Sequence, residues 1–203
     1  MKRTKSWLLL ICLLAAIPAR AQKAGTIVAI APRAIIQRET AAGDLQADKG
    51  TDVYWGDLVS TDQDGRLRIV LLDQSIISLG RESEMRVLRQ PVQLKQSQLH
   101  LSYGKIRVRL LKLPPGQTVE LRTQTAVAGV IGTDFGADAS IPGTTRFICL
   151  EGEVRISSTE KAIRSSVVCK AGEMVDVRAG EPPTQPVPAG EERLDNWRRV
   201  NEP

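Results

Sequence analysis

Short alternating runs of apolar and polar residues dominate the chain after its first segment. Period two is clear in Arg66-Leu67-Arg68-Ile69-Val70-Leu71 and in Lys105-Ile106-Arg107-Val108-Arg109-Leu110. It recurs in Thr118-Val119-Glu120-Leu121-Arg122, Glu153-Val154-Arg155-Ile156-Ser157 and Glu173-Met174-Val175-Asp176-Val177. Successive strand side chains point to opposite faces, so each run predicts a strand with one buried face. Turn residues separate the runs at roughly ten-residue spacing, which predicts an all-β domain rather than βαβ units. A glycine followed by a polar residue opens several strands, as at Gly56-Asp57, Gly104-Lys105, Gly152-Glu153 and Gly172-Glu173. Glycine supplies the positive φ that a tight corner needs. Many short strands with such corners fit a β-solenoid-like stack and a sandwich equally well. No long stripe of helical period occurs before residue 190.

The two ends read differently. Lys2, Arg3 and Lys5 precede the apolar run Trp7 to Ile17, followed by Pro18 and the small-x-small triplet Ala19-Arg20-Ala21. This order predicts a secretory signal peptide over 1–21, cleaved after Ala21. The run is shorter than the ~20 residues needed to span a bilayer. At the other end, Gly180 to Gly190 is proline-rich and predicts an extended, semi-rigid linker within 181–203. Beyond it, Glu191 to Val200 places acidic residues first and Arg198-Arg199 last, which fits a short helix or a frayed tail. On a helix Leu194 and Trp197 share a face, suited to docking on the body or on a partner. The main domain is expected over 22–180.

Charge matters only after the signal is set aside. The full chain has a net charge of +5, but removing 1–21 leaves 24 basic against 23 acidic residues, so the mature chain is close to neutral. That removes the charge argument for nucleic acid or an anionic membrane. Pairs such as Arg66/Arg68 and Arg107/Arg109 read as solvated strand faces. No second apolar run has membrane-spanning length, so no integral membrane segment is expected after cleavage.

Candidate chemistry is sparse. Asp134-Phe135-Gly136 spells a kinase magnesium triplet without the rest of a kinase. Asp62-Gln63-Asp64-Gly65 imitates a calcium loop, but its glycine is early and Asp73 stands where glutamate belongs. His100, the single histidine, sits between Leu99 and Leu101 on an apparent strand, with no nucleophile or metal motif beside it. No catalytic residue, cofactor or metal ligand is assigned, and a non-enzymatic protein is expected. Cys149 and Cys169 remain after Cys12 leaves with the signal. In an oxidising compartment a disulfide between their two strands is expected, with buried free thiols as the alternative.

The residues from Gly25 to Gly180 resemble the FecR domain, named for the iron-dicitrate regulator. Its landmarks occur in order: Gly56-Asp57-Leu58-Val59-Ser60-Thr61, the strand pair joined at Asp73-Gln74, Leu99 to Val108, and the closing Gly152-Glu153-Val154 and Ala171-Gly172-Glu173. The most specific piece is Thr125-Ala126-Val127-Ala128-Gly129-Val130-Ile131-Gly132-Thr133-Asp134-Phe135, similar to the family's stretch ending V-R-G-T-E-F. Ile131 replaces the usual arginine and Ala126 a common proline. Gly132 is expected to sit where a side chain cannot. The resemblance implies a periplasmic, solenoid-like β domain that in iron-uptake regulators takes part in receptor-to-sigma-factor signalling. It also implies an exported envelope module, periplasmic or secreted, that binds a protein partner in regulation or signalling. A scaffold that binds wall polymer is the alternative, a carboxylate-dependent hydrolase a weaker one, and self-association stays open.

Overall fold

The structure is a computed structural model that describes residues 22–39, 41–88, 96–111, 118–130 and 132–200. The signal segment and Ile131 lie outside the described residues. The chain opens with β1 (Lys23–Ala31), β2 (Ala34–Gln37), β3 (Leu45–Gln46) and β4 (Asp52–Tyr54). Next come β5 (Leu58–Thr61), β6 (Arg66–Leu71), β7 (Ile76–Leu79), β8 (Ser83–Leu88) and β9 (Gln96–Tyr103). β10 (Lys105–Arg109), β11 (Thr118–Arg122), β12 (Ala126–Val130), β13 (Asp134–Asp138) and β14 (Thr144–Glu151) follow. The end is β15 (Glu153–Ser158), β16 (Ser166–Lys170), β17 (Glu173–Arg178), β18 (Val187–Pro188) and the helix α1 (Glu191–Val200).

These strands form two nine-stranded sheets. The first runs β18-β17-β14-β13-β10-β7-β6-β1-β4 and the second β16-β15-β12-β11-β9-β8-β5-β2-β3. Pairing is antiparallel except between β9 and β11. After β4 the chain switches sheet every one or two strands, and strand order in each sheet follows chain order. The fold is therefore a two-layer sandwich that advances along one axis as a solenoid does, which joins the two architectures the sequence left open.

Alternation along each strand builds the core. Leu67, Ile69 and Leu71 of β6 are buried between the layers, and so are Ile106 and Val108 of β10 and Val119 and Leu121 of β11. Phe135 and Phe147 are the largest fully buried side chains. Burying such a side chain contributes roughly 1.5–3 kcal/mol. The polar-flanked corners at Gly56, Gly104, Gly152 and Gly172 all have positive φ, as the sequence pattern requires.

The outer face of the first sheet carries a second, smaller cluster. Leu194 and Trp197 of α1 pack there with Ile148, Leu150, Ala189 and Met174. The proline-rich approach to α1 is held against the sheet. Thr184 bonds to Asp176 through backbone and side chain, and β18 pairs with β17. Trp197 lies directly over Gly136, where an added Cβ would come within 2.6 Å of the indole ring. Gly136 thus opens the space that the indole fills. Trp197→Ala is expected to cost about 3 kcal/mol, read as a lower urea midpoint. An unchanged midpoint would show that α1 contributes nothing to the fold.

Candidate functional site

The stretch Thr125 to Phe135 is the crossing from the second sheet to the first, and its residues divide between the layers. At its start, the Thr123 and Thr125 hydroxyls each lie 2.8 Å from the Thr145 hydroxyl, and Thr125 also donates to the Val177 carbonyl at 3.1 Å. All three threonines are buried. They tie the β11–β12 turn to β14 and β17 of the opposite layer. Gly129 and Val130 follow on β12, where Gly129 is exposed on the outer face of the second sheet.

Gly132 turns the chain between layers with a φ of +64°. The space beside it is open, since no atom lies within 4 Å of a Cβ placed there. Its constraint is the backbone angle, about 1–2 kcal/mol for an L-residue, and not a steric wall as the sequence suggested. Thr133 is buried, and its hydroxyl has no hydrogen-bond partner among the described residues.

Asp134 anchors the far side. Arg107 grips it with two bonds, Nε to Oδ1 at 2.9 Å and Nη2 to Oδ2 at 2.7 Å. Arg109 Nε adds a third bond at 3.2 Å. Arg107 Nη1 also donates to the Arg198 carbonyl in the last turn of α1 at 3.0 Å. A cation suits that position, because the final helix carbonyls lack intrahelical partners and carry the negative end of the dipole. Alternation marked Arg107 as solvated, but α1 covers it and leaves it 8 % exposed. Phe135 points into the core and Gly136 lies under Trp197. A second clasp lies at the Gly56-Asp57 corner. Arg38 grips Asp57 at 2.9 and 2.8 Å, and the Tyr54 amide donates to the same carboxylate.

The cysteines face each other across the core and not across one sheet. Cys149 is on β14 of the first sheet and Cys169 on β16 of the second. The structure holds both as buried free thiols, where the sequence reading favoured a disulfide. Burial first, and then mutual proximity at Cys149, pushes each thiol up to about 12. Both stay protonated, and the thiolate is the form that exchanges. His100 is half-buried, and burial followed by Arg122 and Arg86 lowers its pKa, so it is neutral at physiological pH.

What the architecture leaves open is an edge. The outermost strands are β18, β4, β3 and β16, of two, three, two and five residues. Short edges and proline protect a sheet against further pairing, and Pro188 does so on β18. β16 has neither protection. The Ala171 amide bonds to the Gly152 carbonyl at 3.1 Å, which sets the phase of the ladder. Cys169 and Val167 therefore direct their backbone groups at β15, while Ser166, Val168 and Lys170 direct theirs away. Glu173 accepts the Lys170 amide at 2.8 Å. The N–H and C=O groups of Ser166 and Val168 face outward from the sheet edge. Beside this edge the outer face of the second sheet holds a groove of about 590 Å³, with Gly129, Val119, Val130 and Val168 along it and Glu120, Glu153 and Arg155 as its charged groups.

Comparison with known families matches residues 57–155 to the family described as FecR protein. The FecR match therefore covers just under half of the chain. The match runs from Asp57 at the β4–β5 corner into β15, and so includes the Asp57 clasp and the crossing from β12 to β13. Two crystal structures, at 1.65 and 2.50 Å resolution, of a protein from Parabacteroides distasonis ATCC 8503 assigned as an anti-sigma factor share the fold. Each aligns with a TM-score of 0.59 at 14% identity, over 70% of this chain and 64% of the other. The chain thus spans less than two thirds of that protein's length. Among curated proteins, no sequence matches the chain.

The structure brings Asp134 together with the α1 helix that carries Leu194 and Trp197, turns Phe135 and Val130 into the core between the layers, and leaves Gly129 exposed on the outer face of the second sheet. Removing a single partner from a buried pair strands the other charge, at about 3–5 kcal/mol. Asp134→Ala is expected to destabilise by that amount in chemical denaturation. Asp134→Leu combined with Arg107→Met is expected to recover most of the loss. Equal loss in both variants would contradict the clasp.

Proposed function

We propose that this chain is an exported, non-enzymatic FecR-domain protein of the cell envelope, periplasmic or secreted, that holds a protein partner in regulation or signalling. The open β16 edge carries the proposal. An extended partner segment can add to such an edge through main-chain hydrogen bonds, with side-chain pockets supplying selectivity. The groove next to β16 offers those pockets. Asp57 and Asp134, the two buried carboxylates among the described residues, have both oxygens engaged by arginine or backbone donors, which favours clasps over acid–base chemistry. The FecR domain and the anti-sigma assignment of the structural relatives support a regulatory setting. The basic, apolar and small-residue order of 1–21 supports export with cleavage after Ala21.

The test is in-cell crosslinking of the full-length protein with a C-terminal tag, followed by mass spectrometry of bait and captured protein. The bait is expected to begin at Gln22 and to carry one stoichiometric protein. Val168→Pro removes an outward donor while sparing every bond to β15, so it is expected to abolish capture without unfolding the domain. Capture that survives Val168→Pro, recovery of wall polymer in place of a protein, or a bait that retains 1–21 contradicts the corresponding part of the proposal.

A further inference from the structure

The outer face of the first sheet, on the opposite side from the β16 groove, gathers arginines beside α1. Strand register places Arg68 of β6, Ser78 of β7 and Arg107 of β10 in one row across the face, with Arg109 two residues along β10. Two hollows flank the β10 arginines. The smaller, about 50 Å³, is lined by Arg68, Ile76, Ser78, Arg107 and Arg109. The larger, about 360 Å³, shares Arg107 and Arg109 and adds Asp134, Leu150, Glu151 and Arg198.

Arg109 stands between them. Its Nε is committed to Asp134, and its terminal amino groups make no hydrogen bond among the described residues. The side chain is 44% exposed, so these donors are reachable from solvent. Arg107 is buried and fixed by Asp134 and the Arg198 carbonyl, and the Asp134 carboxylate in turn fixes Arg109 from its Nε end. Arg68 and Arg107 have further partners of their own. A guanidinium held at one end and open at the other is pre-organised for a two-point bond to a planar anion. Such pre-organisation lowers the ordering cost of binding. Ile76 and Leu150 give each hollow an apolar wall, which suits the methylene stem of an acidic side chain more than a fully hydrated inorganic anion.

We infer that Arg109 forms a carboxylate-binding site for an acidic polypeptide segment on the outer face of the first sheet, flanked by Arg198, which Asp195 holds at 2.9 Å. The site is independent of the β16 edge and stands whether or not that edge takes a partner.

The test uses the whole mature protein and an acetylated Glu-Ala-Glu amide as probe, with inorganic phosphate in parallel, followed by NMR of the arginine Nε–H signals. The peptide is expected to shift the Arg109 signal saturably, with a Kd of roughly 1 mM. Raising the salt from ~50 mM to ~500 mM is expected to weaken it severalfold. Arg109→Gln is expected to weaken binding at least about tenfold, read from backbone amides of β10 and β13, while circular dichroism stays unchanged. Arg178→Gln, on the exposed Arg178–Glu181 pair, serves as control and is expected to change nothing. No saturable shift at Arg109, an equal shift at Arg178, or tighter binding of phosphate than of peptide would overturn the inference.

Discussion

A single buried carboxylate, Asp134, organises one end of this domain. Taken out of water alone it would cost several kcal/mol, so the fold must bring cations to it. β10 supplies two from alternate positions of one strand, and only the antiparallel register of β10 with β13 sets Arg109 opposite Asp134. A third donor of Arg107, on Nη1, meets the last turn of α1. That bond joins α1 to the sheet on the face where Trp197 lies over Gly136. Core strand, layer crossing and terminal helix are thus coupled through one carboxylate.

The same economy recurs where the chain changes layer. A two-layer stack that crosses repeatedly must satisfy backbone and side-chain polar groups at every crossing, away from water. Here Arg38 with Asp57 does so at the β4–β5 corner, and the threonine hydroxyls of the β11–β12 turn, within the second sheet, bond across to β14 and β17 of the opposite layer. The FecR landmarks fall on these joints. They describe how the domain holds together. The differentiated surfaces lie elsewhere, on the β16 edge and on the arginine face.

Much of the strand content was legible because burial on one face imposes period two, and the runs at Arg66, Lys105, Thr118, Glu153 and Glu173 all became strands. The glycine corners were legible because positive φ has few other solutions. Partners across strands were not. Arg107 alternates as a solvent-facing residue does, and only strand register and a helix ninety residues away make it buried. The cysteines carry the same lesson, because a strand-like run says nothing of which layer it joins. Gly132 was read as a position with no room for a side chain, whereas the space beside it is open and the positive φ is the constraint, a distinction that depends on atoms far away in sequence. Trp197 was legible as a docking residue, and Gly136 beneath it identifies its seat. The open edge at β16 was invisible, since strand order in a sheet emerges from topology alone.

The central claim is that β16 ends its sheet without a neighbour. Amide hydrogen exchange in the free mature protein tests it most directly. The account predicts that the Ser166 and Val168 amides exchange far faster than the Val167 and Cys169 amides between them, in a two-residue alternation along β16. Uniform slow exchange along β16 would contradict it, because those outward donors would already be paired.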